Sequence, residues 1–277
     1  MRDTVEAIPE AGPGRRLSWP WFLVVVVVYV GIIQGLGPLI GVDTSDSDSQ
    51  FPTTASLVRN ALIPIEASIA FGAAVVSWLG WWGEVLRYRA PVRRRVRRVP
   101  VSMIAAVRRV PVSMIAAAVI GLNHPHLADQ SLSLVACLLL LGLFVGVGEE
   151  LMFRGIGVHV FRRAGFTEGK AALCASVVFG LVHASNAISQ GPQALGQAAV
   201  VSTSGYFFYL CLRVGGVLVL PVLVHGLWDT SLISHLVGDN PQVLLGTLLI
   251  ILLQVALIVV LLVRRRAIRP VSPAVPD

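Results

Sequence analysis

The stretch that decides the fold covers residues 138–155 and reads LLLLGLFVGVGEELMFRG. It places two carboxylates, Glu149 and Glu150, and the guanidinium of Arg154 inside a run that is otherwise hydrophobic. An ionisable side chain at membrane depth costs about 2.5–3.5 kcal/mol on insertion scales, so such groups are candidates for function. We therefore interpret this segment as a membrane-spanning helix that carries a functional site.

The composition is that of a membrane protein. Of the 277 residues, 55% are hydrophobic and 13% are charged. Apolar runs of about 20 residues recur between polar or Pro/Gly-rich breaks, which is typical of an all-α, polytopic transmembrane bundle. The net charge is +7, but the arginines cluster between the apolar runs, where they set topology, so nucleic acid is not a predicted partner. The Arg- and Ala/Val-rich composition is consistent with a GC-rich bacterial genome, and we expect a multi-pass protein of the bacterial plasma membrane.

Eight spans with both termini in the cytoplasm are predicted. The loops that carry Lys or Arg all fall on the side assigned to the cytoplasm, as the positive-inside rule requires. The spans are placed at about Trp19–Ile40, Leu57–Trp82, Val110 onward, Ser131–Arg162, Lys170–Ala187, Ala194–Leu212, Gly215–Leu236 and Val243–Val263.

The predicted organisation has five parts. A disordered cytoplasmic tail (1–16) is followed by N-terminal transmembrane helices with a basic cytoplasmic loop (17–130), core helices that carry the ionisable motifs (131–236), a last transmembrane helix (237–263) and a second cytoplasmic tail (264–277). Residues 96–106 and 107–117 are identical. Eleven residues is close to three helical turns, so this duplication preserves the helix face, and we assign it no function.

Three motifs contain the ionisable residues of the predicted core. Counted from the nearest cytoplasmic Arg or Lys, each motif lies 12 or 13 residues into its helix. At 1.5 Å per residue this is about 18–20 Å, so we expect the motifs to meet in one layer. They are Glu149-Glu150-x-x-x-Arg154, Phe179-x-x-x-His183 and His225-x-x-x-Asp229.

The two adjacent glutamates have different predicted roles. Glu150 and Arg154 are four residues apart and can pair on one helix face. Glu149 is rotated by about 100° from its neighbour and is free to act as a general base. A packing clamp without chemistry explains the pair of Glu150 and Arg154 equally well, but it does not explain Glu149.

A metal site is a further expectation. Glu149, His183 and His225 form a set that could hold either a water molecule or a Zn²⁺ ion, since a catalytic zinc commonly takes three N or O ligands and keeps one open position. The sequence contains no His-Glu-x-x-His helix, so the site of soluble metalloproteases is absent. Asp229 lies one turn beyond His225 and can orient its imidazole.

Two other features are interpreted as packing. Gly142 and Gly146 leave one face of the fourth predicted helix bare for close helix contact. The aromatic run from Tyr206 to Tyr209 is expected to face lipid or the membrane interface.

In order and spacing, the three motifs resemble the CPBP intramembrane protease family, which includes type II CAAX prenyl endopeptidases and bacterial Abi-type self-immunity proteins. The resemblance covers about Ser131–Leu236 and implies peptide-bond hydrolysis inside a helical bundle. It implies that Glu149 and His183 activate the attacking water, and that His225 with residue 229 stabilises the oxyanion. Many members have Asn where this chain has Asp229; an ionised Asp cannot donate to an oxyanion, so we expect it to orient His225.

The leading hypothesis is an intramembrane endopeptidase that acts on a membrane-presented peptide or protein. The alternatives are a proton-coupled transporter that uses the Glu/His cluster as a relay, and a non-catalytic immunity or scaffold protein. CAAX processing requires prenylated proteins, which a bacterial host would ordinarily lack, so it is not the predicted role.

Overall fold

The computed structural model describes residues 15–88, 101–187, 191–238, 248 and 251–259. The predicted all-α architecture is confirmed over these residues. Residues 251–259 are helical but do not belong to one of the helices named below. The named helices are α1 (Trp19–Ile40), α2 (Thr54–Leu79), α3 (Trp82–Leu86), α4 (Val101–Gly121), α5 (His124–Ala128), α6 (Leu132–Arg163), α7 (Glu168–Ala184), α8 (Gln193–Gly215) and α9 (Val219–Ile233). Two of them contain a π-helical stretch, Val58–Leu62 in α2 and Glu150–Gly157 in α6.

Within the described residues, four helical segments are long and apolar enough to cross a membrane, namely α1, α2, α6 and the part of α8 from Ala198 to Gly215. Arg109–Gly121 and α9 are shorter apolar helices. The first predicted span coincides with α1, and the fourth differs from α6 by one residue at each end. The number of eight spans and the cytoplasmic position of the termini stay predictions.

The helix that contains the third predicted span starts before that span. It begins at Val101 and continues through Arg108 and Arg109. Its apolar part, Arg109–Gly121, nevertheless agrees with the predicted segment.

Several predicted parts fall largely outside the described residues. These are positions 1–14 of the first tail, most of the basic loop (89–100), most of the last span (239–247, 249–250 and 260–263) and the second tail (264–277).

Local sequence fixes the starts of two long helices. The Thr53 side chain accepts a hydrogen bond from the Ser56 amide, and the Ser56 side chain bonds the Thr53 backbone in return, which is a capping box at the start of α2. The Ser131 hydroxyl accepts from the Leu134 amide at 3.3 Å and caps α6. Because this cap sets where α6 begins, it also sets the position of Glu149 along the helix.

Helices α6 and α9 pack with their backbones in direct contact through three glycines. A Cβ at Gly142 would lie 2.6 Å from the carbonyl oxygen of Gly226, and a Cβ at Gly226 would lie 2.8 Å from that of Gly142. A Cβ at Gly146 would collide with the carbonyl oxygen of Val222 and lie 2.9 Å from the Gly226 nitrogen. The bare face predicted for this helix is therefore its contact with α9, and it brings His225 against the glutamates.

Helices α7 and α8 approach each other in the same way. A Cβ at Gly180 would lie 2.6 Å from the Ala198 carbonyl oxygen, and one at Gly205 would lie 3.0 Å from Nη2 of Arg154 and 2.9 Å from the ring of Phe179. The small residues of α8 thus leave space for two large side chains that belong to the site.

Replacement of Gly146 by Ala should destabilise the bundle, because the new methyl group overlaps the backbone of α9. We expect Gly146→Ala to lower the free energy of unfolding by about 1–3 kcal/mol. The measurement is denaturation in detergent, followed by tryptophan fluorescence. The matched control is Gly31→Ala on α1, where a Cβ meets no described atom within 4 Å; a helical Gly→Ala change there should be neutral or stabilising. Equal losses in the two variants would contradict the packing argument.

Candidate active site

The site forms where α6 changes from α-helix to π-helix. The α-helical part ends at Glu149, the π-helical part begins at Glu150, and all eight residues of the π-helical segment are buried. Such π segments inside α-helices often mark functional sites. The two adjacent glutamates therefore lie on either side of a local change in helix geometry.

His225 of α9 is the centre of the ionisable cluster. Its Nδ1 lies 2.7 Å from Oε1 of Glu150, and its Nε2 lies 3.5 Å from Oε2 of Glu149. The Oδ2 atom of Asp229 is also 3.5 Å from Nε2. Each glutamate thus lies beside a different nitrogen of the same imidazole. The sequence predicts different roles for the two glutamates, and in the structure they lie beside different atoms of His225.

Two aromatic rings enclose the imidazole of His225. Phe208 stacks on it with ring centroids 4.0 Å apart and an interplanar angle of 18°, while Phe179 meets it edge-on at 5.7 Å. The prediction that Tyr206–Tyr209 faces lipid or the interface is wrong, because Phe207, Phe208 and Tyr209 are buried. The physical reason is the close approach of α7 and α8, which turns these rings inward. The small residues at 202–205 were the sequence signal for this packing.

Arg154 connects the site to α8. Its Nη1 lies 2.8 Å from Oε1 of Glu150, an ion pair without hydrogen-bond geometry, and its Nη2 donates to the Gly205 carbonyl at 2.9 Å. The guanidinium also lies 4.4 Å from the ring centre of Phe179 and 5.2 Å from that of Phe208. The i, i+4 pair that the spacing predicts is present, and it has aromatic and carbonyl partners that the spacing could not show.

His183 lies on α7 beside the same cluster. Its Nδ1 is 3.0 Å from the carbonyl oxygen of Phe179, and the two rings meet edge-on at 4.8 Å. A carbonyl oxygen only accepts, so Nδ1 carries the proton and Nε2 of the neutral ring is left as an acceptor. The ring of Phe179 contacts both His183 and His225. The structure therefore brings the second motif to the same region.

The Nε2 side of His225 gathers several hydrogen-bond acceptors. If Nδ1–H donates to Glu150, Nε2 of a neutral imidazole presents a lone pair toward Glu149 and Asp229. A lone pair and two carboxylates repel one another unless a proton or a cation lies between them. Ligand atoms of Glu149, His225 and Asp229 lie within 4.8 Å of one another. This group differs from the predicted set by containing Asp229 in place of His183.

These residues fit a zinc ion. One imidazole nitrogen and two carboxylates are ligand types that Zn²⁺ takes. The contact of Glu150 with the other imidazole nitrogen is the carboxylate–histidine arrangement that orients metal-binding histidines. Whether a metal binds stays a prediction.

Two carboxylate oxygens lack hydrogen-bond partners among the described residues, namely Oε2 of Glu149 and Oε2 of Glu150. Buried polar atoms are nearly always bonded to protein or to ordered water. A water molecule, a substrate group or an ion is therefore the missing partner that this geometry calls for.

A bundle of apolar helices, several of them long enough to cross a membrane, defines the class: a multi-pass membrane protein with a buried Glu/His/Asp cluster. Residues 131–231 match the family model described as Type II CAAX prenyl endopeptidase Rce1-like, and the match contains all three motifs. It confirms the resemblance of this segment to the CPBP/CAAX protease family, whose members of this description are endopeptidases. Searches of curated proteins and of solved structures returned no match.

Loss of Arg154 should strongly destabilise the protein, because it leaves the carboxylate of Glu150 buried without its cation. We expect Arg154→Met to cost about 3–5 kcal/mol of unfolding free energy. The control is Arg163→Met, which removes a half-exposed ion pair with Glu84 and should cost about 1 kcal/mol or less. Detergent-unfolding curves measure both variants. Similar small losses would show that Arg154 does not compensate a buried charge.

Proposed function

We propose that the chain is an intramembrane endopeptidase that hydrolyses a peptide bond of a membrane-presented peptide or protein through water activated by Glu149 and His183. The observation that carries the proposal is the buried carboxylate of Glu149, which lies 3.5 Å from Nε2 of His225. Its Oε2 has no hydrogen-bond partner among the described residues, so it is available to a water molecule. The endopeptidase family match covers the helices that supply these groups.

Glu149 is the general base of the proposed reaction. It accepts a proton from the water, whose oxygen forms a bond to the substrate carbonyl carbon and generates an oxyanion. Glu149 then returns the proton to the amide nitrogen as the C–N bond breaks. His183 holds the water through its Nε2 lone pair, because its Nδ1 donates to the Phe179 carbonyl.

His225 is the proposed oxyanion donor. When both nitrogens of its imidazole are protonated, Nε2–H can donate to the developing negative charge. Glu150 orients the ring, because its contact with Nδ1 is 2.7 Å, whereas Asp229 lies 3.5 Å from Nε2. We therefore assign to Glu150 the orienting role that the sequence gave to Asp229.

A zinc ion, if bound, would be held by Glu149, His225 and Asp229, with Glu150 fixing the orientation of the histidine. It would supply a Lewis acid for the carbonyl group and a more acidic bound water. Without the metal, Glu149 acts as the general base and His183 binds the water; with the metal bound, Glu149 would be a ligand instead. Metal analysis of the purified protein decides between a metalloprotease and a metal-free glutamate protease.

The proposed setting is a bacterial plasma membrane, crossed by eight spans with both termini in the cytoplasm. The predicted depth of the motifs, about 18–20 Å from the Arg and Lys residues assigned to the cytoplasm, supports a site inside the bilayer. The substrate would reach it from the membrane. The Abi-type immunity proteins in the same family make bacteriocin immunity or peptide maturation the biological roles to examine first.

Substitution of the proposed water-activating residues should abolish cleavage without unfolding the protein. In proteoliposomes that contain a membrane-presented reporter peptide, Glu149→Gln and His183→Ala should each reduce the cleavage rate by about 100-fold or more. His124→Ala is the control, since this exposed ring lies outside the three motifs and hydrogen-bonds to the Val119 carbonyl. Undiminished cleavage in both site variants would refute the proposal. A Glu149-dependent flux without cleavage would favour a proton-coupled transporter.

Asp229 offers a separate test of the oxyanion arrangement. Since Glu150 already holds His225, the Asp229 carboxylate is not needed to orient the ring, and an amide at this position could donate to the oxyanion. We expect Asp229→Asn to cleave at least as fast as the wild type, and Asp229→Ala to stay within a few-fold of the wild-type rate. Rates at saturating substrate measure both variants. A loss of about tenfold or more in both would show that the carboxylate itself is required, as ring partner or metal ligand.

A further inference from the structure

Tyr29 of α1 is a buried polar residue that no step above uses. Its side chain is fully buried, and its hydroxyl has no hydrogen-bond partner among the described residues. A buried tyrosine hydroxyl usually has a partner. Tyr29 also lies outside residues 131–231, so the family match assigns it no role.

The phenol of Tyr29 reaches the backbone next to the proposed general base. A Cβ at Gly148 would lie 2.9 Å from the Tyr29 hydroxyl oxygen, so only glycine leaves room for it. The ring packs edge-on against Phe153 with centroids 6.3 Å apart, which fixes its orientation. Gly148 immediately precedes Glu149 in α6. Helix α1 therefore delivers a hydroxyl group to the layer of the two carboxylates.

Three buried oxygens in this layer lack hydrogen-bond partners within the described part of the chain. They are the hydroxyl of Tyr29, Oε2 of Glu149 and Oε2 of Glu150. A phenol can donate a hydrogen bond, and ionised carboxylates only accept. A buried water molecule requires two to four polar partners, and these atoms supply both donor and acceptors.

We propose that Tyr29 is a positioning residue for Glu149, acting through one ordered water that accepts from the phenol and donates to Oε2 of the glutamate. This bridge holds the carboxylate in a single orientation toward the reacting layer. It extends the site to α1, beyond the three motif-bearing helices. The inference rests on the proposed function, because Glu149 is the group that is held.

Ser68 of α2 is the competing partner. Its hydroxyl lies beside the phenol of Tyr29 but does not reach it with hydrogen-bond geometry. The Ser68 hydroxyl donates instead to the Ile65 carbonyl at 2.7 Å. If the Tyr29 hydroxyl only bonded to Ser68, its role would be structural. Removal of either hydroxyl would then change the cleavage rate equally.

The kinetic test compares three variants in the cleavage assay. Tyr29→Phe should lower kcat about tenfold and leave KM unchanged, because one hydrogen bond that positions the base is lost. Ser68→Ala should stay close to wild type. Tyr88→Phe is the matched control, since it removes a buried hydroxyl that lies 3.3 Å from that of Tyr209 on another part of the bundle. Unchanged kcat in Tyr29→Phe, or an equal fall in Ser68→Ala, would overturn the proposal.

A second measurement separates this proposal from the proposed function. The changes in Tm caused by Tyr29→Phe and Glu149→Gln should be non-additive in the double variant, because the two side chains share one water. Tyr29→Phe and Glu84→Gln should be additive. If the Tm changes are non-additive but the protein cleaves no reporter peptide, the contact between Tyr29 and Glu149 is supported and the protease function is refuted. If the Tm changes are additive and Tyr29→Phe has a normal kcat, the contact is refuted and the protease function is unaffected.

Discussion

The rest of the site depends on the contacts that the buried carboxylate of Glu150 makes with Arg154 and His225. Its Oε1 lies 2.7 Å from Nδ1 of His225 and 2.8 Å from Nη1 of Arg154, so one buried oxygen joins α9 to α6. Arg154 extends the connection to α8 through the Gly205 carbonyl. A buried carboxylate is tolerated only when its charge is compensated, and here an arginine and a histidine compensate it. Among the described residues, Glu149 has no arginine partner of this kind, and it is the carboxylate that we propose as the general base.

Close backbone packing makes this cluster possible. His225 reaches both glutamates because Gly142, Gly146 and Gly226 allow α6 and α9 to touch. Without a hydrophobic driving force between helices in lipid, close packing of small residues is a main source of helix association. The same residues that stabilise the bundle therefore set the distance between the proposed base and the proposed oxyanion donor.

Much of the fold and part of the site could be predicted from the chain alone. The bounds of α1 and α6 follow from apolar runs that end at Pro, Gly or Arg, and the pair of Glu150 and Arg154 follows from its spacing on one helix. The burial of Phe208 against His225 could not be predicted, because lipid and a protein core are both apolar and an aromatic run is compatible with either. The helical start of α4 at Val101, ahead of the predicted span, could not be located from hydropathy, since two arginines do not interrupt a helix although they are costly at membrane depth.

The sequence by itself determined which residues are ionisable, how far along each helix they lie and which helices are apolar enough for a membrane, because these properties are local and periodic. Only the tertiary structure decided that Glu150, and not Asp229, makes the short contact with His225, and that Asp229 joins Glu149 and His225 within ligand distance. It alone brought Tyr29, from a helix without any motif, beside Gly148. The physical reason is that a helix fixes the depth and the face of a side chain, whereas its partner depends on how closely and at what rotation the neighbouring helices pack.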